Sequence, residues 1–212
     1  MILITGNDPI VDHFCLALES LGRPNRRVDE LDAGNAWELQ ATTVMLVESL
    51  PRVATTASER AASRRGLREI IAAANAPGVR SAIIVTPRPD DDAELRAVRR
   101  SGIPYTILRP PAVVERATDP DASVLVSREL ASARATAVSA DMVVDALVGV
   151  LDGGACGQSI DITPPPEMTW AELLARVGVS PKPVAPWRAR LGRWLGARTF
   201  DASNASLAPA SP

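Results

Sequence analysis

Ile2-Leu-Ile-Thr-Gly6 is a short apolar run stopped by a glycine, and Asn7-Asp-Pro-Ile10 follows it with the pattern of a helix start. An apolar run of four with no polar alternation reads as a strand covered on both faces, as in a parallel sheet. Ile10, Val11, Phe14, Leu18 and Leu21 then recur at helical spacing, and Gly22 closes the series. Strand, tight turn and helix are packed into twenty-two residues.

Further strands and helices alternate downstream, without an internal sequence repeat. Thr43 to Val47 is a second buried strand, and the proline-free, Ala/Arg-rich stretch 57–76 predicts a helix. Val79 to Thr86 gives another strand, with Ser81 to Thr86 at its heart. Asp90, Asp91 and Asp92 precede a helix running through Arg100, where their charges suit the free amides of the first turn. Tyr105 to Leu108 is a further strand, ended by Arg109-Pro-Pro111. Residues 141–152 read as a helix, 158–162 as a short strand, and 169–177 as a helix with Thr169 and Glu172 at capping-box spacing. Only 26–41 is ambiguous. Strands alternating with helices predict an α/β, doubly wound, mostly parallel sheet with helices on both faces. Ligands in such sheets bind beyond the C-terminal strand ends. The loops of interest are therefore 6–9, 48–52, 86–90 and 110–116.

The chain has 212 residues, 46% of them hydrophobic, enough for one domain with a sizeable core. A formal net charge of −2 supplies no general field for nucleic acid. No apolar run approaches the roughly 20 residues that span a bilayer, and Met1 to Ile4 lacks the basic flank of a signal peptide. Cys15 and Cys156 lack metal spacing. The expectation is a reduced, cytoplasmic protein.

By residue 110 the order of these features resembles the atypical, NmrA-like branch of the short-chain dehydrogenase/reductases. The residues carrying the resemblance are Ile2 to Gly6, Arg99-Arg-Ser-Gly-Ile-Pro-Tyr-Thr-Ile-Leu-Arg-Pro110, Val138-Ser-Ala-Asp-Met-Val-Val-Asp-Ala146, and Gly157 to Thr163 followed by Thr169 to Leu173. Together they span roughly residues 1–178. The resemblance implies a Rossmann-like, NAD(P)-binding type of fold. Contacts to such a cofactor would fall on Gly6, Asn7, Asp8, Ile10, Thr86 and Pro110.

Against that family's Gly-x-x-Gly-x-x-Gly phosphate turn, the three glycine positions fall on Gly6, Pro9 and Asp12. Only the first is retained. Pro9 removes an amide donor, and Asp12 puts a charge where close packing normally needs a hydrogen atom. Asp8-Pro9 is itself a helix start, so an Asp8 cap would place a carboxylate where a phosphate binds. Two anions competing there should cost a dinucleotide about 1–3 kcal/mol or more. A flipped Asp8 would still admit one. An adenine-ribose acid would have to come from Asp29, Glu30 or Asp32.

Classical members of the wider family use Tyr-x-x-x-Lys for proton transfer. Here Tyr105, the sole tyrosine, has Arg109 four residues on, and the sole lysine is Lys182. The pair is missing. Tyr105 and Glu115 remain as weak catalytic candidates, neither with a partner. His13 is the only histidine and reads as a helix-lining residue, and Asp90 to Asp92 read as a helix start rather than a cation site. No metal site is expected. Glu48, Ser49 and Thr86 should line any crevice.

Residues 182–198 contain Lys182, Arg188, Arg190, Arg193 and Arg198 and no acid, with Trp187, Leu191, Trp194 and Leu195 at helical spacing. Three readings of this amphipathic segment stay open: a last helix packed on its own domain, a protein-partner surface centred on Trp187, Arg190, Leu191 and Trp194, or peripheral contact with a membrane or a membrane complex. The expected organisation is a domain over 1–178, this segment over 179–200, and a disordered tail over 201–212. The expected function is that of a degenerate family member acting by binding, as an accessory subunit or ligand sensor, with no cofactor unless NAD(P). The alternatives are a cofactor-independent isomerase or cyclase, which predicts a deep apolar pocket near 86–90 and 110–116, and a residual NAD(P)-dependent reductase in a biosynthetic pathway.

Overall fold

The computed structural model describes residues 1–48, 50, 57–89, 92–114, 121–153, 157–194, 200–201 and 206–207, the side chains of 57–65, 190, 192–194 and the last two pairs excepted. Two compact units are present. The first comprises Met1–Leu50, Thr55–Pro110 and Asp141–Ile162, and the second is built on Pro111–Ala140 and Thr163–Pro212.

In chain order the first unit runs β1 (Ile2–Thr5), α1 (Ile10–Ser20), β2 (Asn25–Arg27), α2 (Ala33–Glu38), β3 (Thr43–Val47), α3 (Ala57–Ala74), β4 (Ser81–Val85), α4 (Ala93–Arg100) and β5 (Tyr105–Arg109). The chain then contributes β6 (Ala112–Val114), β7 (Ser123–Ser127), α5 (Arg128–Ser132) and β8 (Ala137–Ser139) to the second unit. It re-enters the first through α6 (Ala140–Gly153) and β9 (Gln158–Asp161), and closes with α7 (Trp170–Arg176), β10 (Ser180–Val184), α8 (Pro186–Trp194), β11 (Phe200–Asp201) and β12 (Ser206–Leu207).

Six strands of the first unit form one all-parallel sheet in the order β2-β1-β3-β4-β5-β9. The four predicted apolar runs are its centre, and Leu3, Ile4, Val44, Met45, Ile83, Ile84, Ile107 and Leu108 are all buried. Burial on both faces is why these strands are apolar without alternation. Strand order reverses between β1 and β3: the chain steps outward to β2, then returns to the other side of β1. That is the topological switch point, where doubly wound folds open a crevice at the strand C-termini.

Helix α1 buries Ile10, Val11, Phe14 and Leu18, the predicted stripe. Leu21 departs from it. It is the C-cap residue just past the helix and is exposed, where the chain leaves the helical path into Gly22, whose φ is 65°. The ambiguous stretch 26–41 contains α2, whose N-terminal Asp32 accepts the Asn35 amide at 2.7 Å.

The second unit holds two parallel pairs, β6 with β8 and β7 with β10. Its core gathers Val124, Val126, Ala137, Leu173, Leu174 and Trp170. This grouping differs from a domain ending at 178, because β10 lies beyond that point and pairs along its whole length with β7. The tail, expected to be disordered from 201, contains the short antiparallel pair of β11 and β12, with its other residues outside the described set.

Candidate functional site

The crevice end of the first unit is built from the loops after β1, β3 and β4. Gly6 leaves β1 with a φ of 147°, and a Cβ there would lie 2.3 Å from the Val47 carbonyl oxygen. That contact and that backbone angle both require glycine. The one retained glycine of the turn is thus explained by the approach of β1 to β3.

Asp8 follows and is buried. One carboxylate oxygen accepts the Ile10 N–H at 3.0 Å, and the other accepts the Leu50 N–H at 2.8 Å. Asp8 thus engages the helix start from one residue earlier than expected, because Pro9, expected inside the first turn, holds the N-cap position and has no side-chain cap of its own. The remaining first-turn donors are also used: Val11 N–H donates to the Asp8 carbonyl at 3.0 Å and Asp12 N–H to the Pro9 carbonyl at 3.1 Å. Pro9 has no N–H to offer. The helix start that would otherwise cradle an anion has its amides engaged by the chain itself. The Leu50 bond goes further, since it ties the loop after β1 to the loop after β3 across the switch point.

Asp12, at the third glycine position, is exposed and pairs with Arg27 at 2.8 Å, while the same guanidinium donates to the Gly6 carbonyl at 3.2 Å. Arg27 therefore lies across the turn. Beside it is an open depression of about 570 Å³ lined by Arg26, Arg27, Val28, Asp29, Glu30 and Asn35. Of the three candidate ribose acids, Asp29 and Glu30 line this depression and Asp32 is spent on capping α2.

At the ends of β3 and β4 lies a second polar cluster, legible in the sequence only as Glu48 and Thr86. Thr86 is fully buried and its hydroxyl donates to Glu48 at 2.5 Å. Arg88 grips both Glu48 oxygens, at 2.8 and 3.1 Å, and reaches Glu94 at 3.0 Å and Asp92 at 3.3 Å. Burial works against the charge on Arg88, but the hydrogen bond and three carboxylates outweigh it and raise its pKa. Asp92 caps α4 through the amides of Glu94 and Leu95. Burial opposes its charge too, yet those amides and Arg88 hold it below the ordinary carboxylate value. One arginine thus anchors three carboxylates, and Glu48 is committed to Thr86 and Arg88 rather than offered to a ligand.

Of the two catalytic candidates only Tyr105 is among the described residues. Tyr105 opens β5, at the sheet edge opposite the crevice, and packs against the core. Arg109, at the other end of β5, pairs with Asp161 at 2.9 Å. Pro110 is buried just beyond it. Glu115, Ser49, Asp90, Asp91 and Cys156 lie outside the described residues, as does part of the wall of the deep apolar pocket expected near 86–90 and 110–116. Of the partner-surface residues, Trp187 and Leu191 are exposed on α8, and the side chains of Arg190 and Trp194 are outside the described set. Among the described residues no His/Cys/Asp/Glu group has metal-binding geometry, and no helix is long and apolar enough to cross a membrane.

The same fold occurs in solved structures. UDP-N-acetylglucosamine 4-epimerase from Bacillus cereus superimposes with a TM-score of 0.58 at 10% identity, over 97% of this chain and 96% of that one. The fold is therefore shared. Triphenylmethane reductase from Citrobacter sp., complexed with NADP(H), gives 0.55 at 15% identity over 96% and 87% of the two chains. A dTDP-glucose 4,6-dehydratase from Streptomyces venezuelae with NAD and TYD bound gives 0.50 at 17% identity over 97% and 96%. No protein-family model matches the chain, and no curated protein does. The architecture is a doubly wound, Rossmann-like α/β fold, shared with these structures.

Proposed function

We propose that this chain is a degenerate, NmrA-like protein of the short-chain dehydrogenase/reductase type that acts by binding, as an accessory subunit or ligand sensor. The observation that carries this reading is the double engagement of Asp8. Its carboxylate fills the anion seat at the start of α1 and bridges to Leu50. As folded, the turn does not fit a pyrophosphate, because the helix amides are taken and the incoming charge would meet a buried carboxylate. The missing Tyr-x-x-x-Lys pair and the placement of Tyr105 away from the crevice support the same reading.

A second reading, favoured by the structural neighbours, is an NAD(P)-dependent reductase or epimerase. The Citrobacter reductase is complexed with NADP(H) and the Streptomyces dehydratase holds NAD. The depression beside Arg26 and Arg27 at the end of β2 is a place where such folds hold an adenine ribose. Thermal unfolding with each of NAD⁺, NADH, NADP⁺ and NADPH separates the two. The binding reading predicts no rise in Tm with any of them, and a concentration-dependent rise selects the enzyme.

A further inference from the structure

We propose that α8 is a docking helix for an anionic lipid surface. This stands apart from whether the first unit takes a dinucleotide. The described helix turns Trp187 and Leu191 outward, 61% and 45% exposed, at the i, i+4 spacing that puts them on one face. Pro186 and Ala189 are the half-buried positions. A large aromatic and a leucine left in water by a helix with another face to bury call for a covering surface.

The charge of the surrounding sequence states what kind of surface. Lys182, Arg188, Arg190, Arg193 and Arg198 fall within seventeen residues that contain no acid, in a chain whose 25 acidic residues outnumber its 23 basic ones. The Arg188 guanidinium lies 5.1 Å from the centre of the Trp187 ring. A cation stacked on an outward indole is suited to the boundary between headgroups and acyl chains, where tryptophan and arginine place apolar bodies inward and polar groups in water. Two exposed apolar anchors are few for a stable protein interface, which buries roughly 800 Å² on each partner. A lipid surface needs less, because each Lys or Arg near an anionic leaflet adds about fivefold to partitioning.

The test is co-sedimentation of the full chain with vesicles of phosphatidylcholine alone and of phosphatidylcholine with about one-third phosphatidylglycerol, at low and high salt. Binding should appear on the anionic vesicles only, weaken with salt, fall about twenty-fivefold in R188Q/R190Q, and fall about tenfold or more in W187A/L191A. Trp187, Arg188 and Leu191 are exposed, and unchanged thermal unfolding of the variants checks that they fold. Failure to sediment with anionic vesicles at low salt overturns the proposal. So does binding that is indifferent to W187A/L191A, which is charge attraction alone. Stronger retention on polyglutamate than on the vesicles would assign the helix to an acidic protein instead, and overturns the lipid surface equally.

Discussion

Asp8 and Leu50 are joined across the switch point of the sheet, the Asp8 carboxylate accepting the Leu50 N–H at 2.8 Å. The first residue belongs to the loop after β1 and the second to the loop after β3. In a crevice that opens by keeping these two loops apart, a side chain of the protein links them.

Replacing Asp8 by Ala strands the amides of Ile10 and Leu50. The expected cost is about 1–3 kcal/mol, that of a lost cap and unsatisfied buried donors. Urea unfolding measures it. Added inorganic phosphate should recover part of the loss in D8A and leave the wild type unchanged, because only the variant exposes an anion seat.

Gly6→Ala should be more damaging than the loss of a phosphate contact would explain. Its Cβ would sit 2.3 Å from the Val47 carbonyl at a φ of 147°. Strain and overpacking together predict a loss of about 3 kcal/mol or more, or insolubility. Equilibrium unfolding without any nucleotide reads this directly, and an unperturbed G6A would show that glycine is not required by the packing.

The Arg88 cluster predicts strong coupling. Arg88→Met leaves Glu48, 4% exposed, with Thr86 as its remaining described partner. Breaking such a buried pair costs about 3–5 kcal/mol. The double variant R88M/E48Q should recover more than half of that, because the stranded charge goes with its partner. A double-mutant cycle in urea tests it.

Among the described residues, two carboxylates are held below their ordinary range in the folded state. Asp92 is held low against the cost of burial by the amides of Glu94 and Leu95 and by Arg88, and Glu172 by the Thr169 amide and hydroxyl. Both pKa values are depressed in the folded state. Their contribution is therefore present above the ordinary carboxylate range, near about pH 4, and disappears as pH falls through the lowered folded values. The stability gap between wild type and D92A should be largest above that range and shrink below it. Unfolding midpoints measured from neutral to acidic pH give the profile.

The sheet was legible because its strands are buried on both faces. Ile2 to Thr5, Thr43 to Val47, Ser81 to Val85 and Tyr105 to Arg109 are apolar runs that a parallel sheet explains directly. The caps at Asp92 and Thr169 were readable because their partners lie within three residues. β10 was not, because Pro181 and Pro183 argue against a strand, and it forms only as one member of a two-stranded pair. At the site, Asp8-Pro9 announced the cap to Ile10 by local spacing. The bond to Leu50 joins residues 42 apart, and the gathering of Glu48, Arg88 and Glu94 follows from strand order. No local pattern carries either one.

Calorimetric titration of the wild-type chain with NADPH and with NADH tests the occupied anion seat most directly. The account predicts no saturable binding of either at millimolar concentration. A saturable one-to-one complex of the wild-type chain in the micromolar range would show that the carboxylate yields to the pyrophosphate and would contradict it.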